Sequence, residues 1–347
     1  DLSDCTNLTN IGERAFRGCN SLATIDLSGC TNLTSIGSDA FSGCDSLTSI
    51  EIPSSVTSIG SSAFQYCYAL AEVYNYSSNI SEVKIGNSWS NTNGSLGQYA
   101  IVVYNPSDLQ GEKPTSKIQT IGNVQYYVDG SDFIALAPSV SRDKLTTVTL
   151  DSKTTAINQY AFNGCSSLKS IDLSGCTNLT SIGEWAFRGC NSLATIDLSG
   201  CINLTSIDDY AFQECNSLAT IDLSGCINLT NIGERAFQRC SSLTSIEIPS
   251  SVTSIGNYAF SSCYALAEVY NYSSNIPEVA IGNSSSSTNG SLGRHAKVVY
   301  NPSDLEGEKP ASRIQTIGNV RYYVDGSDII ALAPSVSRSD VTTVTLD

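Results

Sequence analysis

Thirteen cysteines are the side chains of this 347-residue sequence whose type and spacing most readily suggest chemistry. They form two columns of a repeating pattern, and each column could bind a metal or form disulfides. One column lies three positions after a phenylalanine: Cys19, Cys44, Cys67, Cys165, Cys190, Cys215, Cys240 and Cys263. The other column lies in a turn: Cys5, Cys30, Cys176, Cys201 and Cys226.

The spacing of these cysteines argues against both chemistries. The sequence has no Cys-x-x-Cys pair and a single histidine, His295, which does not support a zinc site. Neighbouring coils of a stacked fold lie about 4.8 Å apart, and disulfide geometry tolerates that distance. Pairing within a column would nevertheless leave odd members out. Buried cysteine packs as a small apolar residue, so we predict free structural thiols.

A second column is acidic. It follows a central isoleucine in a segment where apolar and polar residues alternate, as in Ile25-Asp26-Leu27, the pattern of a strand with one buried face. In the repeats that follow Glu51 and Glu247, the corresponding residue is a tyrosine. We take this column as the candidate ligand-binding set: Asp26, Glu51, Tyr74, Asp172, Asp197, Asp222, Glu247 and Tyr270.

Carboxylates stacked about 5 Å apart repel one another, so something must offset the repulsion. The sequence offers flanking hydroxyl columns, such as Thr24 and Ser28, and leaves open solvent counterions, bound Ca²⁺ or a basic ligand. The column is therefore either a solvated ladder without a ligand or a surface that binds a ligand or cations.

The elements that position these columns follow from a short period. An Ala-Phe pair recurs at Phe16, Phe41, Phe64, Phe162, Phe187, Phe212, Phe237 and Phe260, with spacings of 25, 23, 98, 25, 25, 25 and 23. A fixed period of about 20–50 residues indicates a solenoid of stacked units. In each unit we predict a strand such as residues 22–27, a turn at Gly29 with positive φ, and a short helical turn that carries Ala-Phe inward. The glycines expected to share that conformation are Gly175, Gly200 and Gly225.

The residues of one unit, L-x-x-I-x-L-x-x-C-x-x-L, resemble the leucine-rich repeat. The shorter form, I-x-I-P-x-x-V-T-x-I-G followed by x-x-A-F-x-x-C, resembles the BspA-like repeats of bacterial and protist surface proteins. The likeness covers about residues 1–70 and 147–270. It implies an α/β-type leucine-rich-repeat solenoid, rich in β-strand, with short helical or 3-10 turns on the convex side. It also implies that the acidic column faces the concave surface.

A longer period contains the short one. Residues 1–151 match residues 197–347 at an offset of 196, with 117 of 151 positions identical. Both ends of the chain fall within the repeat, and no polar capping repeat is visible at either end. We therefore expect this chain to be part of a longer tandem protein.

The short period lapses twice, which divides the chain into four parts. We predict repeats over 1–70, an irregular β-rich module over 71–146, repeats over 147–266, and a second irregular module over 267–347 that ends in a restart of the repeat. Within the module we expect degenerate coils in contact with the stack, a strand at 100–104 and a hairpin around Asp129-Gly130. The polar stretch 87–97 separates two of these strands.

Composition restricts the partners. The net charge is −15, which argues against nucleic acid and against an anionic membrane surface. No run of about 18 apolar residues exists. His295 aligns with Tyr99 in the other copy, and the serines have no histidine partner for a triad. We therefore expect no enzymatic activity and no cofactor, with Ca²⁺ as the one candidate.

The resemblance implies a secreted or cell-surface protein that mediates adhesion through proteins or glycans, by multivalency rather than one tight site. The alternative is a structural role as a spacer, sheath or extracellular filament, whose only partners would be copies of itself. The near-identity of the two long copies and the uniform acidic face favour that alternative. A receptor for one irregular epitope would instead vary its strand face from repeat to repeat.

Overall fold

The computed structural model describes residues 1–86, 93–283, 289–306, 309–318, 320–325 and 328–334. The chain forms two compact units, Asp1–Ser141 (unit 1) and Arg142–Asp347 (unit 2). Residues 87–92 of the polar stretch, and residues 335–347 where the repeat was predicted to restart, lie outside the described ranges. Among the described residues, no helix has the length and hydrophobicity that a membrane crossing needs.

Unit 1 consists of short strands joined by turns. They are β1 (Asn10–Ile11), β2 (Ser35–Ile36), β3 (Ser49–Ile52), β4 (Ser58–Ile59), β5 (Glu72–Asn75), β6 (Val102–Tyr104), β7 (Ile118–Ile121), β8 (Val124–Asp129) and β9 (Asp132–Pro138). Parallel pairing joins β1, β2 and β4 in one sheet and β3, β5 and β6 in another, whereas β7, β8 and β9 pair antiparallel.

Unit 2 repeats this arrangement with more coils. Its strands are β10 (Thr147–Thr149), β11 (Ala156–Ile157), β12 (Ser170–Asp172), β13 (Ser181–Ile182), β14 (Thr195–Asp197), β15 (Ser206–Ile207), β16 (Thr220–Asp222), β17 (Asn231–Ile232), β18 (Ser245–Ile248), β19 (Ser254–Ile255), β20 (Glu268–Asn271), β21 (Val298–Tyr300), β22 (Ile314–Ile317), β23 (Val320–Asp325) and β24 (Asp328–Pro334). The last three form an antiparallel sheet.

Phenylalanine rings form the centre of each unit. In unit 1 the rings of Phe16, Phe41 and Phe64 stack with centroids 5.0 and 5.1 Å apart. In unit 2 five rings stack at 5.2, 5.1, 5.2 and 5.2 Å, within the range that aromatic pairs prefer: Phe162, Phe187, Phe212, Phe237 and Phe260. Ala40 and Phe41 are fully buried, which confirms that the Ala-Phe pair points inward.

Most coils contribute to two rows of parallel strands, of which the sequence predicted one. The predicted row holds the acidic column, as in β14 and β16, where Asp197 lies opposite Asp222. The second row consists of two-residue strands, such as β13 and β15, that place an isoleucine inward. Two residues are too few to show an alternation, so this row could not be recognised from periodicity. Threonine hydroxyls reinforce it, since Thr205 Oγ1 donates to Thr180 O of the preceding coil at 2.9 Å.

Two local predictions overestimated the regular secondary structure. Residues 22–27 form no regular strand, although the matching residues of unit 2 form β14 and β16. The solenoid has almost no helix, because the Ala-Phe segments are successions of hydrogen-bonded turns. In the described part of the chain the one helical element is a 3-10 turn at Pro302–Asp304.

The turn glycines do not have the positive φ that we predicted for Gly29 and its equivalents. At Gly29, Gly200 and Gly225 the missing side chain instead lets neighbouring coils approach, whereas a Cβ on Gly175 would make only an ordinary contact. A Cβ on Gly225 would lie 1.6 Å from Ser199 O, and one on Gly29 would lie 1.5 Å from Ser3 O. Positive φ occurs instead at the residue before Ala-Phe, for example 57° at Trp185.

The first irregular module continues the stack of unit 1. Its strands β5 and β6 extend the strand row beyond β3, with Glu51 opposite Tyr74 and Tyr74 opposite Tyr104. Val73 and Leu96 belong to the same hydrophobic core as Phe41. The predicted hairpin is confirmed, because β8 and β9 pair antiparallel around Asp129 and Gly130.

Candidate functional site

Three carboxylates of unit 2 lie open on the strand row. Asp172, Asp197 and Asp222 end β12, β14 and β16, and each side chain is exposed while the preceding isoleucine is buried. In unit 1, Asp26 has the same exposure. We call Asp172, Asp197 and Asp222 the open rungs.

Each open rung is stabilised by its own turn. Asp172 Oδ1 accepts the amide of Ser174 at 3.0 Å and its hydroxyl at 2.7 Å, and Asp197 Oδ1 accepts both groups of Ser199 at 2.9 and 2.6 Å. These hydrogen bonds lower the pKa of Asp172 and Asp197. At Asp222 the Ser224 amide donates to Oδ1 at 2.9 Å, so the serine hydroxyls offset the repulsion between rungs at Asp172 and Asp197.

The glutamate and tyrosine members of the column, unlike the open rungs, are covered by another segment of the chain. Tyr74 and Tyr270 were predicted to face a ligand, but each is 1% exposed. In unit 1, Lys113 Nζ lies 4.6 Å from the centre of the Tyr74 ring and forms an ion pair with Glu51. The prediction for the two tyrosines is wrong because the chain covers them itself.

Unit 2 has the same cover. Lys309 Nζ lies 4.7 Å over the Tyr270 ring and pairs with Glu247. We call residues 113–117 and 309–313 the straps. Lys113 follows Glu51 by 62 residues, so no local pattern could have shown that the two side chains meet.

A buried glutamate anchors each strap. Glu268, which is 1% exposed, accepts the Arg313 amide at 2.5 Å, the Ser312 hydroxyl at 2.8 Å and the Tyr270 hydroxyl at 3.2 Å. In unit 1, Glu72 accepts the Lys117 amide at 2.8 Å. Burial, and then the neighbouring carboxylate, raises the pKa of Tyr270, so this phenol stays protonated and donates.

The cysteine columns serve packing, in agreement with the role predicted for them. No disulfide joins any of the thirteen cysteines, and eleven are buried, with Cys5 and Cys19 exposed. The buried thiols donate to carbonyls of neighbouring coils, as Cys215 Sγ does to Phe187 O at 3.1 Å. Burial raises the pKa of Cys176 to about 11, which keeps that thiol protonated and unreactive at neutral pH.

The one histidine of the sequence packs against an aromatic ring. His295 contacts the Tyr264 ring at 5.3 Å, and burial with Arg294 and Lys297 lowers its pKa. Within the described ranges, no group of three or more His, Cys, Asp and Glu side chains is placed to hold a metal ion.

Unit 2 also carries an aromatic stripe that was not predicted from the sequence. The Trp185 ring packs edge to face on the rings of Tyr160 and Tyr210, with centroids 4.7 and 5.5 Å apart. The Arg235 guanidinium lies over Tyr210 and donates to its hydroxyl at 2.6 Å. All four residues have positive φ, a conformation that costs an ordinary residue about 1–2 kcal/mol.

Beside this stripe, Glu184, Asp208 and Asp209 line a shallow cavity of about 280 Å³. Burial and the neighbouring carboxylates raise the pKa of Glu184, and burial followed by Asp209 raises that of Asp208. The ionised form of Asp208 is therefore destabilised in the folded state.

Replacing Asp208 with asparagine is expected to stabilise the protein at pH 7 by less than about 1 kcal/mol, since solvent screens a half-exposed carboxyl. The folded pKa is raised, so the penalty is full above it and disappears as pH falls towards the ordinary value of 3.8. Thermal melts of Asp208→Asn and of the exposed Asp143→Asn at pH 7 and pH 4 test this. A gain that persists at pH 4, or is equal in the control, would contradict the assignment.

Comparison with known proteins identifies a repeat family. A family model described as a BspA type leucine rich repeat region matches residues 2–99 and 140–287 in six copies. No curated protein matches the chain.

Several solved structures are similar. A leucine rich repeat protein of T. pallidum has 32% identity over 46% of this chain and 71% of its own, with a TM-score of 0.37. A leucine-rich repeat protein from Bacteroides ovatus has 24% identity over 79% of this chain, which spans 57% of that protein, with a TM-score of 0.37. A leucine rich cell surface protein from Faecalibacterium prausnitzii has 23% identity over 76% of this chain and 69% of its own, with a TM-score of 0.37.

Proposed function

Since this chain belongs to the BspA-type leucine-rich-repeat family, we propose that it is a non-enzymatic surface protein that mediates adhesion by binding basic segments of partner proteins. Leucine-rich repeats generally bind proteins, and the acidic balance of the chain favours cationic partners. An extracellular or cell-surface location is part of the proposal. Its support is the family and a composition rich in Ser, Thr, Asn and Gly.

The observation that carries the proposal is the lysine of the strap. Glu247 is the last acidic member of the column in unit 2. Lys309 lies between its carboxylate and the Tyr270 ring. The chain thus uses an ammonium group of its own to neutralise the end of the column. The open rungs belong to the same column, and we expect them to take cationic side chains from a partner, at about 5 Å intervals.

A lysine-rich peptide is the direct probe, with a glutamate-rich peptide of equal length as control. We expect calorimetry to detect binding of the lysine-rich peptide only, and we expect affinity to fall steeply between about 0.05 and 0.5 M salt because exposed charges are screened. Equal binding of both peptides, or affinity independent of salt, would overturn the electrostatic proposal.

The structural alternative has its own support. Residues 19–30 and 67–80 are identical to 215–226 and 263–276, so the long copies display almost the same strand face. A sheath or filament component would associate with itself and ignore the peptides. Sedimentation at rising concentration distinguishes the two roles, since an adhesin is expected to stay monomeric. Calcium at the rungs remains a prediction, and it fails if chelation leaves thermal stability unchanged.

A further inference from the structure

A pocket recurs at the same place in each unit, beside the end of the acidic column. In unit 2 it encloses about 460 Å³, and in unit 1 about 370 Å³. The residues common to both are, in unit 1, Leu27, Ser28, Glu51, Pro53, Ser54 and Tyr76. Their equivalents in unit 2 are Leu223, Ser224, Glu247, Pro249, Ser250 and Tyr272.

The short coil of the repeat builds this pocket. Pro53 follows β3 directly and turns the chain, and the Ser55 hydroxyl fixes that turn by donating to Leu33 O at 2.7 Å. The next coil then places Tyr76 alongside, with its amide donating to Ile52 O at 3.0 Å. In unit 2 the Ser251 hydroxyl donates to Leu229 O at the same distance, 2.7 Å. The pocket is therefore held by backbone and turn contacts rather than by flexible side chains.

The lining combines an apolar wall with a polar rim. A tyrosine ring, a proline and a leucine form the wall, and a glutamate with two serines forms the rim. Burial, and then Glu51, raises the pKa of Tyr76, in keeping with its place beside the carboxylate. Volumes of about 300–1,000 Å³ and a mostly apolar lining with a few polar groups are usual for small-molecule sites.

Charge narrows the class of ligand. Glu51 is paired with Lys113, and Glu247 with Lys309, so the rim is close to neutral and has no unpaired charge for an ionic ligand. What remains in the lining are acceptors on the carboxylate and serine hydroxyls that both donate and accept. The ligand should therefore be uncharged, and it should carry donors and acceptors around an apolar face.

We propose that each pocket binds one hexose unit of a surface glycan. The C–H face of a pyranose ring can lie on the tyrosine, while its hydroxyls donate to the glutamate and accept from the serines. A run of prolines would suit the aromatic wall but presents carbonyl acceptors only, so it adds no donor to the carboxylate beyond that of the lysine. Two such sites per chain suit a repetitive glycan, to which weak single contacts add through multivalency.

The pockets contain none of the three open-rung carboxylates, so variants of the rungs and variants of the pockets test the two proposals separately. Methyl glycosides of glucose, galactose, mannose and N-acetylglucosamine serve as probes, with decaproline as the competing peptide. We expect saturation-transfer NMR to show binding of at least one glycoside, at a dissociation constant of about 1 mM. Tyr76→Ala combined with Tyr272→Ala should weaken that binding at least about tenfold.

Two controls keep the test decisive. Tyr66→Ala with Tyr264→Ala removes tyrosines that are 48% and 61% exposed outside the pockets, and it should bind as the unaltered chain does. Tyr76→Phe with Tyr272→Phe keeps the rings and should retain binding, which separates loss of the ring from loss of folding. Binding of decaproline without any glycoside, binding of no glycoside, or equal binding by the Tyr76→Ala, Tyr272→Ala variant would each overturn the proposal.

Discussion

Replacing Phe212 with alanine is expected to lower the free energy of unfolding of unit 2 by about 3–5 kcal/mol. Its ring is fully buried and stacks between Phe187 at 5.1 Å and Phe237 at 5.2 Å. Removing it leaves a cavity that the neighbouring coils cannot fill, because Phe212 N donates to Ala236 O at 2.7 Å and such bonds hold the spacing between coils. Repeat stability depends on nearest-neighbour interfaces, so one gap weakens two of them.

Urea denaturation followed by circular dichroism measures this loss. Phe212→Leu is the matched control, since it keeps most of the volume and should cost less than about 1.5 kcal/mol. A loss from Phe212→Ala no larger than that of the leucine variant would show that the ring stack is not the core of the unit.

Replacing Glu268 with alanine is expected to detach the strap of unit 2, with a loss of about 2–4 kcal/mol. Glu268 accepts the Arg313 amide and the Ser312 hydroxyl, and hydrogen bonds to a charged acceptor contribute more than neutral ones. Without the carboxylate both donors need water, which they reach only if the strap lifts. Lifting it also exposes Tyr270 and takes Lys309 away from Glu247.

Hydrogen exchange over residues 309–314, together with a thermal melt, detects this change. The exposed Glu278→Ala is the matched control and should leave both measurements unchanged. Protection of the strap that survives in Glu268→Ala would mean that Lys309 and the backbone hold it without the buried carboxylate.

The parts of the fold that depend on local patterns could be predicted from the sequence. The inward position of Phe41 and its equivalents follows from a fixed period, and the hairpin at Asp129-Gly130 follows from turn chemistry. The second strand row was missed because two-residue strands such as Ser206–Ile207 leave no readable alternation. The turn glycines were misread because Gly225 faces another coil, and contacts between coils do not show in one repeat.

For the candidate site, sequence reasoning placed the aspartates on an exposed face but misplaced the tyrosines. The exposure of Asp172, Asp197 and Asp222 follows from strand alternation, but the burial of Tyr270 depends on a lysine that arrives 39 residues later. The pocket beside Tyr272 also brings together residues from four separate segments. Contacts of this kind depend on the path of the irregular module, and the repeat pattern does not predict that path.

The central claim is that the open rungs bind cationic side chains of a partner. Its most direct test is calorimetric titration of the lysine-rich peptide into the chain carrying Asp172→Asn, Asp197→Asn and Asp222→Asn together, beside a control with Asp143→Asn. We expect the triple variant to bind at least about tenfold more weakly, because each amide keeps its place beside the serine but lacks the charge. Unchanged affinity in the triple variant would contradict the claim.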